Sequence, residues 1–178
     1  KRSLPISLIC LIKMKQGYTL VEAIIYIAIL AVLAVTFVNL LFTMTQSYTK
    51  FRLERDIVSS ASLGLERMVR ETRQAKSLDP ASILGNNPGR LLLNTTDDVG
   101  VATTRDFYLF LGTLMVKEGS GQAASTTAKN VTVDNLVFRQ INTANSSAVK
   151  IEMTLTAKRG ATARTEKFYS TAVLRGSY

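Results

Sequence analysis

An α+β fold, one long N-terminal helix followed by an antiparallel sheet, is predicted by three observations. Ala23 to Thr49 contains no charged residue and is mostly apolar. No proline stands between Pro5 and Pro80, so a helix begun near Tyr18 has nothing to break it before about Leu78. Beyond Arg90 the periodicity changes from helical to alternating, most cleanly in Val149, Ile151, Met153 and Leu155, with Lys150, Glu152, Thr154 and Thr156 opposite. A helix followed by a run of strands is the order of a layered α+β domain.

Leu4 to Ile12 is apolar but contains Pro5 and is too short to cross a bilayer. No small-residue cleavage site of the secretory type follows it. Lys13, Lys15 and Gly17 come next, then the long apolar run. Ala23 to Met44 would rise roughly 33 Å at ~1.5 Å per residue, against a hydrocarbon core of about 30 Å. Core helices of globular domains rarely stay apolar on every face for so long, so the segment reads as membrane-spanning. The positive-inside rule keeps Lys13 and Lys15 cytoplasmic and sends the C-terminal part outward. Asn39, polar within the run, reads as a weak interhelical hydrogen-bonding residue.

Glu22 stands at the mouth of this helix. An acid there meets the positive end of the helix dipole. Deeper in lipid it is costly unless paired. It is either a snorkelling interfacial side chain or an acid awaiting a cation from another chain.

Past Met44 the pattern becomes one-sided. Phe51, Val58, Ala61, Leu65 and Met68 recur at helical steps, with Lys50, Glu54, Arg55, Glu66, Arg67, Arg70, Glu71 and Arg73 on other faces. Glu66–Arg70 and Arg67–Glu71 have the spacing of i,i+4 ion pairs. Gly64 is a weak point, costing about 1 kcal/mol against alanine. Lys76 suits the C-terminal dipole and Asp79-Pro80 stops the helix, which would be roughly 90 Å long.

Ile83 to Arg90 reads as a loop. Strands are expected at Arg90–Asn94, Asp106–Leu111, Thr113–Lys117, Asn130–Ile141, Val149–Ala157 and Thr165–Leu174. Gly112 would form a hairpin or bulge, and Glu118–Asn130 a mobile loop. About five to seven strands are expected to pack on the C-terminal half of the helix.

Composition excludes several chemistries. The chain has no histidine, and its one cysteine is Cys10, near the start. Histidine-based metal sites and Ser-His-Asp triads are therefore ruled out. An enzyme is disfavoured, and no cofactor is expected. Asp97 and Asp98 beside Gly100 do not make a full calcium ligand set and read as a solvated turn; no metal site is expected. Gly119-Ser120-Gly121 lacks the lysine and helix of a phosphate loop. Arg67, Arg70 and Arg73 could meet phosphate, but Glu66 and Glu71 balance that face. Of the net charge of +9, Lys1, Arg2, Lys13 and Lys15 supply +4, leaving +5 for the remainder. That excess reads as an ordinary solvated surface, because no aromatic–basic stripe of a single-strand binder is present.

Gly17-Tyr18-Thr19-Leu20-Val21-Glu22 followed by a long apolar stretch resembles the signal of type IV pilins and type II secretion pseudopilins. Tyr18 stands where that family usually has phenylalanine. The resemblance implies a leader at residues 1–17 and cleavage by a membrane prepilin peptidase between Gly17 and Tyr18. Tyr18 would then be N-methylated, and Glu22 would attract the terminal amine of a neighbouring subunit. Cys10 would leave with the leader, so the mature protein would hold no disulfide. Met14, just ahead of Lys15, is an alternative translation start.

The implied organisation is a transmembrane and filament-core helix at residues 18–44 and an extracytoplasmic pilin-like domain at 45–178. That domain would comprise an amphipathic helix at 45–78 and a β-sheet at 90–175. Its two-part sheet looks most like the larger minor pseudopilins, while Glu22 separates the chain from tip pseudopilins that lack this acid. The leading expectation is a structural subunit, a minor pilin or pseudopilin, held in the cytoplasmic membrane and assembled with other pilins. The rivals are a competence-type pilin that captures DNA, and a plain signal-anchored protein.

Overall fold

The computed structural model describes residues 19–97, 99–143 and 146–175. The chain divides at Thr45–Gln46 into two units. One helix, α1 (Leu20–Gln74), runs through the division and is followed by eight strands. The leader expected at residues 1–17, together with Tyr18, lies outside the described residues.

In the first unit α1 is apolar on all sides. An 18-residue window has a mean hydropathy of 2.7 with none of its residues buried. Ile25, Leu30, Leu33, Phe37 and Leu41 are all exposed. The helix is long and apolar enough to cross a membrane.

In the second unit α1 packs on antiparallel sheets. The five-stranded sheet has the order β1 (Ser77–Leu78), β2 (Leu91–Thr96), β3 (Ala102–Phe110), β4 (Thr113–Glu118) and β5 (Ala124–Ser125). The three-stranded sheet is β6 (Val131–Asn142), β7 (Ser147–Arg159) and β8 (Thr162–Val173). A single core joins helix and sheets. It takes Leu53, Ile57, Ala61 and Met68 from α1, Leu91, Leu93, Phe107 and Leu114 from the first sheet, and Leu136, Phe138, Ile151, Met153 and Leu155 from the second. The predicted alternation of β7 is realised, with Val149, Ile151, Met153 and Leu155 buried.

Three expectations are corrected. The helix stops at Gln74 rather than Leu78, because Ser77 and Leu78 pair with Asn94 and Leu93 as a short edge strand. The Lys76 N–H donates to the Asn94 carbonyl at 2.8 Å, capturing the chain for the sheet. β-structure therefore begins before residue 90, and the strand total exceeds the expected range through the two-residue strands β1 and β5.

The helix stripe is also different. Leu53, Ile57, Ser60, Ala61, Gly64, Met68, Glu71 and Thr72 are buried, whereas Phe51 and Val58 are 69% and 46% exposed. The expected stripe combined two faces that a 3.6-residue period sets apart. Nor do the local ion pairs form. Arg67 reaches Glu118 at 3.1 Å, and Glu71 holds Arg105 at 3.3 Å, which also meets Glu118 at 3.3 Å. Packing against the sheet brings those distant partners closer than the helical neighbours.

Gly64 has a positive reason to be glycine. A Cβ there would lie 2.9 Å from Leu114 Cδ2, so the missing side chain lets the helix approach β4. At the β3–β4 hairpin Leu111 and Gly112 have φ of 49° and 73°, both left-handed as a type I′ turn requires. The β2–β3 pair is clamped by Arg90, whose Nε and second guanidinium nitrogen donate to Asp106 Oδ1 and Oδ2 at 2.9 and 2.6 Å. That hydrogen bond first, and the carboxylate charge second, raise the Arg90 guanidinium above its ordinary range.

Candidate functional site at the head of the helix

The described part of the candidate site begins at Thr19. Its carbonyl accepts the Ala23 N–H at 3.1 Å, and its Oγ1 accepts the Glu22 N–H at 3.2 Å. Thr19 is thus the N-cap and Glu22 the third helical residue, the Thr-x-x-Glu arrangement of a capping box. The carboxylate points forward instead of closing that box. Its Oε1 accepts the Tyr26 hydroxyl at 3.0 Å, one turn along. No described cation lies within ion-pairing distance of Glu22.

This geometry makes Glu22 tolerable without neutralising it. The cap supplies a backbone donor and the helix start supplies the positive dipole end. Tyr26 adds one neutral hydrogen bond. A carboxylate so placed can accept a cation arriving from outside the chain. Sequence reasoning singled out Glu22 but missed Thr19 as its cap and Tyr26 as its partner. The signals were a threonine three residues before the acid and a hydroxyl four residues after it. Gly17 and Tyr18, the expected cleavage and methylation residues, lie outside the described residues.

Further along the first unit, three threonine hydroxyls are satisfied by the helix itself. Thr36 Oγ1 donates to the Leu33 carbonyl at 2.8 Å, and Thr43 and Thr45 donate to the carbonyls of Asn39 and Leu41 at 2.9 Å each. Such back-bonding lets hydroxyls sit in an apolar solvent.

The other candidates resolve as turns. Asp97 Oδ1 accepts the Val99 and Val101 N–H groups at 3.0 and 2.8 Å, so its carboxylate closes its own loop; Asp98 lies outside the described residues. Among the described residues no cluster of three His, Cys, Asp or Glu could hold a metal. Gly119 and Gly121 shape the end of β4, where the Gly121 N–H meets the Glu118 carbonyl at 2.8 Å.

A capped apolar helix headed by one acid, long enough to cross a membrane, and a helix laid on antiparallel sheets make an α+β architecture consistent with a pilin-like fold. The prokaryotic N-terminal methylation motif matches residues 12–38. The chain therefore carries a type IV pilin-like prepilin signal over that segment. No curated protein and no solved structure matches the chain.

Proposed function

We propose that this protein is a structural subunit, a minor pilin or pseudopilin, of a type IV pilus or type II secretion-like filament. It crosses the cytoplasmic membrane once through residues 18–44, with residues 45–178 extracytoplasmic. Prepilin peptidase cuts between Gly17 and Tyr18, and Tyr18 is then N-methylated. In the filament Glu22 pairs with the terminal amine of a neighbouring subunit.

One observation carries this reading. The lone acid within the matched motif heads an all-apolar helix, and its described side-chain partner is the uncharged Tyr26 hydroxyl. In a low-dielectric setting a carboxylate and an ammonium attract strongly, provided close pairing offsets both desolvation costs. That requirement favours one stagger between adjacent helices. The apolar side chains around it then gain neighbouring helices in place of lipid.

Glu22→Ala tests the pairing. The mature N-terminus should still begin at Tyr18 by mass spectrometry, while incorporation into filaments falls severely. Normal incorporation of Glu22→Ala would refute the pairing. Retention of residues 1–17 in cells with active prepilin peptidase would refute the whole reading.

A further inference from the structure

The protein protects most of its sheet edges and leaves one open. In the five-stranded sheet the edge strands β1 and β5 have two residues each. The outer side of β6 is covered by backbone bonds. Gly85 and Gly89 N–H groups reach the Phe138 and Leu136 carbonyls at 2.7 and 2.8 Å, and the Val133 N–H reaches the Gly112 carbonyl at 2.7 Å. β8 is different. It pairs with β7 along all of Thr162–Val173 without a register shift, and no described backbone group bonds its other side.

Two hydrogen bonds set which β8 residues face that open side. The Leu174 N–H donates to the Ser147 carbonyl at 2.9 Å, while the Lys158 N–H turns away from β8 to Asn130 at 3.2 Å. In an antiparallel ladder the bonded pairs alternate. The even-numbered β8 residues therefore bond to β7, and the backbone groups of Ala163, Thr165, Lys167, Tyr169, Thr171 and Val173 point outward. Phe168 to Val173 contains no charge, proline or glycine. The first half of β8 carries Arg164, Glu166 and Lys167, so the open edge lacks protective charges over its C-terminal half, and that half is a template for another strand.

A second feature lies at the C-terminal end of this edge. Thr171 and Val173 line a cleft of about 480 Å³ with Arg73 and Arg175. Neither arginine forms an ion pair with a described carboxylate. Two uncompensated guanidinium groups in one cleft suit recognition of a carboxylate.

We propose that the β8 edge takes up an extended acidic segment of another polypeptide as an added strand, with a carboxylate of that segment held by Arg73 and Arg175. A second copy of β8 fits poorly. Its single acid, Glu166, is already bound to Arg164 at 2.8 Å. The proposal stands apart from the filament reading, since it concerns the second unit alone.

The test uses the full chain in detergent micelles. The probe is a fluorescent peptide of alternating valine and threonine ending in two glutamates, followed by anisotropy. Thr171→Pro removes an outward N–H and leaves the β7 ladder intact, so its circular dichroism and melting temperature should match the parent. Its peptide affinity should fall by about tenfold or more. Arg73→Gln with Arg175→Gln should weaken binding comparably and flatten its salt dependence. A peptide ending in glutamines should bind the parent as weakly as the glutamate peptide binds the double variant. Equal binding by parent and folded Thr171→Pro would overturn the proposal. So would equal binding of the glutamine peptide, or no binding up to about 1 mM. Concentration-dependent self-association lost in Thr171→Pro, without peptide binding, would overturn it in favour of a second copy.

Discussion

The two units meet the same physical demands in opposite ways. Among the described residues up to Thr45 the side-chain hydrogen bonds seen are local, at three or four residues: Thr19 with Glu22, Glu22 with Tyr26, Thr43 with Asn39. From Gln46 onward the important contacts are remote in sequence: Arg67 with Glu118, Arg105 with Glu71, Ala61 and Met68 in a core with Phe138. The described apolar side chains of the first unit are exposed, while the second unit holds one buried core. A helix can satisfy its own polar groups but cannot bury its own apolar surface. The first unit therefore needs an apolar solvent or neighbouring helices, whereas the second carries its burial within itself.

Truncation of a large side chain separates the units most sharply. Phe138 is fully buried, and Phe138→Ala should cost about 3–5 kcal/mol, read as loss of β-structure at lower denaturant. Leu33→Ala, on an exposed position of the first unit, should leave that same transition unmoved in detergent. A matching loss from Leu33→Ala would break the distinction. A smaller effect is expected at Gly64, where a Cβ would meet the Leu114 side chain. Gly64→Val must displace Leu114 and sacrifices helix packing for a branched side chain, so about 1–3 kcal/mol should be lost. A melting temperature equal to the parent's would mean that the approach is looser than described.

The smallest effect is electrostatic. Lys150, through a hydrogen bond first, and then Arg139 hold the Glu152 carboxyl below the ordinary carboxylate range. A depressed carboxyl contributes stability above its unfolded pKa, and that contribution is lost as pH falls through the folded value. Glu152→Gln should therefore show a shallower fall in stability with acidification than the parent, measured as melting temperature against pH. Identical slopes would show that the Lys150–Glu152–Arg139 contact is fully screened by solvent.

Much of this was legible beforehand. The membrane-length helix, the strand at β7 and the Gly112 turn follow from hydropathy, alternation and turn chemistry, which are local properties. The acid at Glu22 was legible because a charge bordering an apolar run is conspicuous. Its cap and its tyrosine partner were present in the spacing yet hidden within the motif that drew attention to the acid. The stripe on α1 was misread because Phe51 and Val58 are as apolar as Leu53 and Ile57, and periodicity alone cannot say which of two adjacent faces the sheet will cover.

What the chain's order of residues determined by itself is therefore the set of local commitments: where the helix begins, that its first half needs an apolar environment, and which segments pleat. These depend on neighbours a few positions away. The tertiary structure decided which helix face is buried, that Ser77 and Leu78 leave the helix for a sheet edge, and that Arg67 and Glu71 turn from each other to Glu118 and Arg105. Each of those outcomes compares a local contact with one brought close only by folding, and no short window of sequence contains both sides of that comparison.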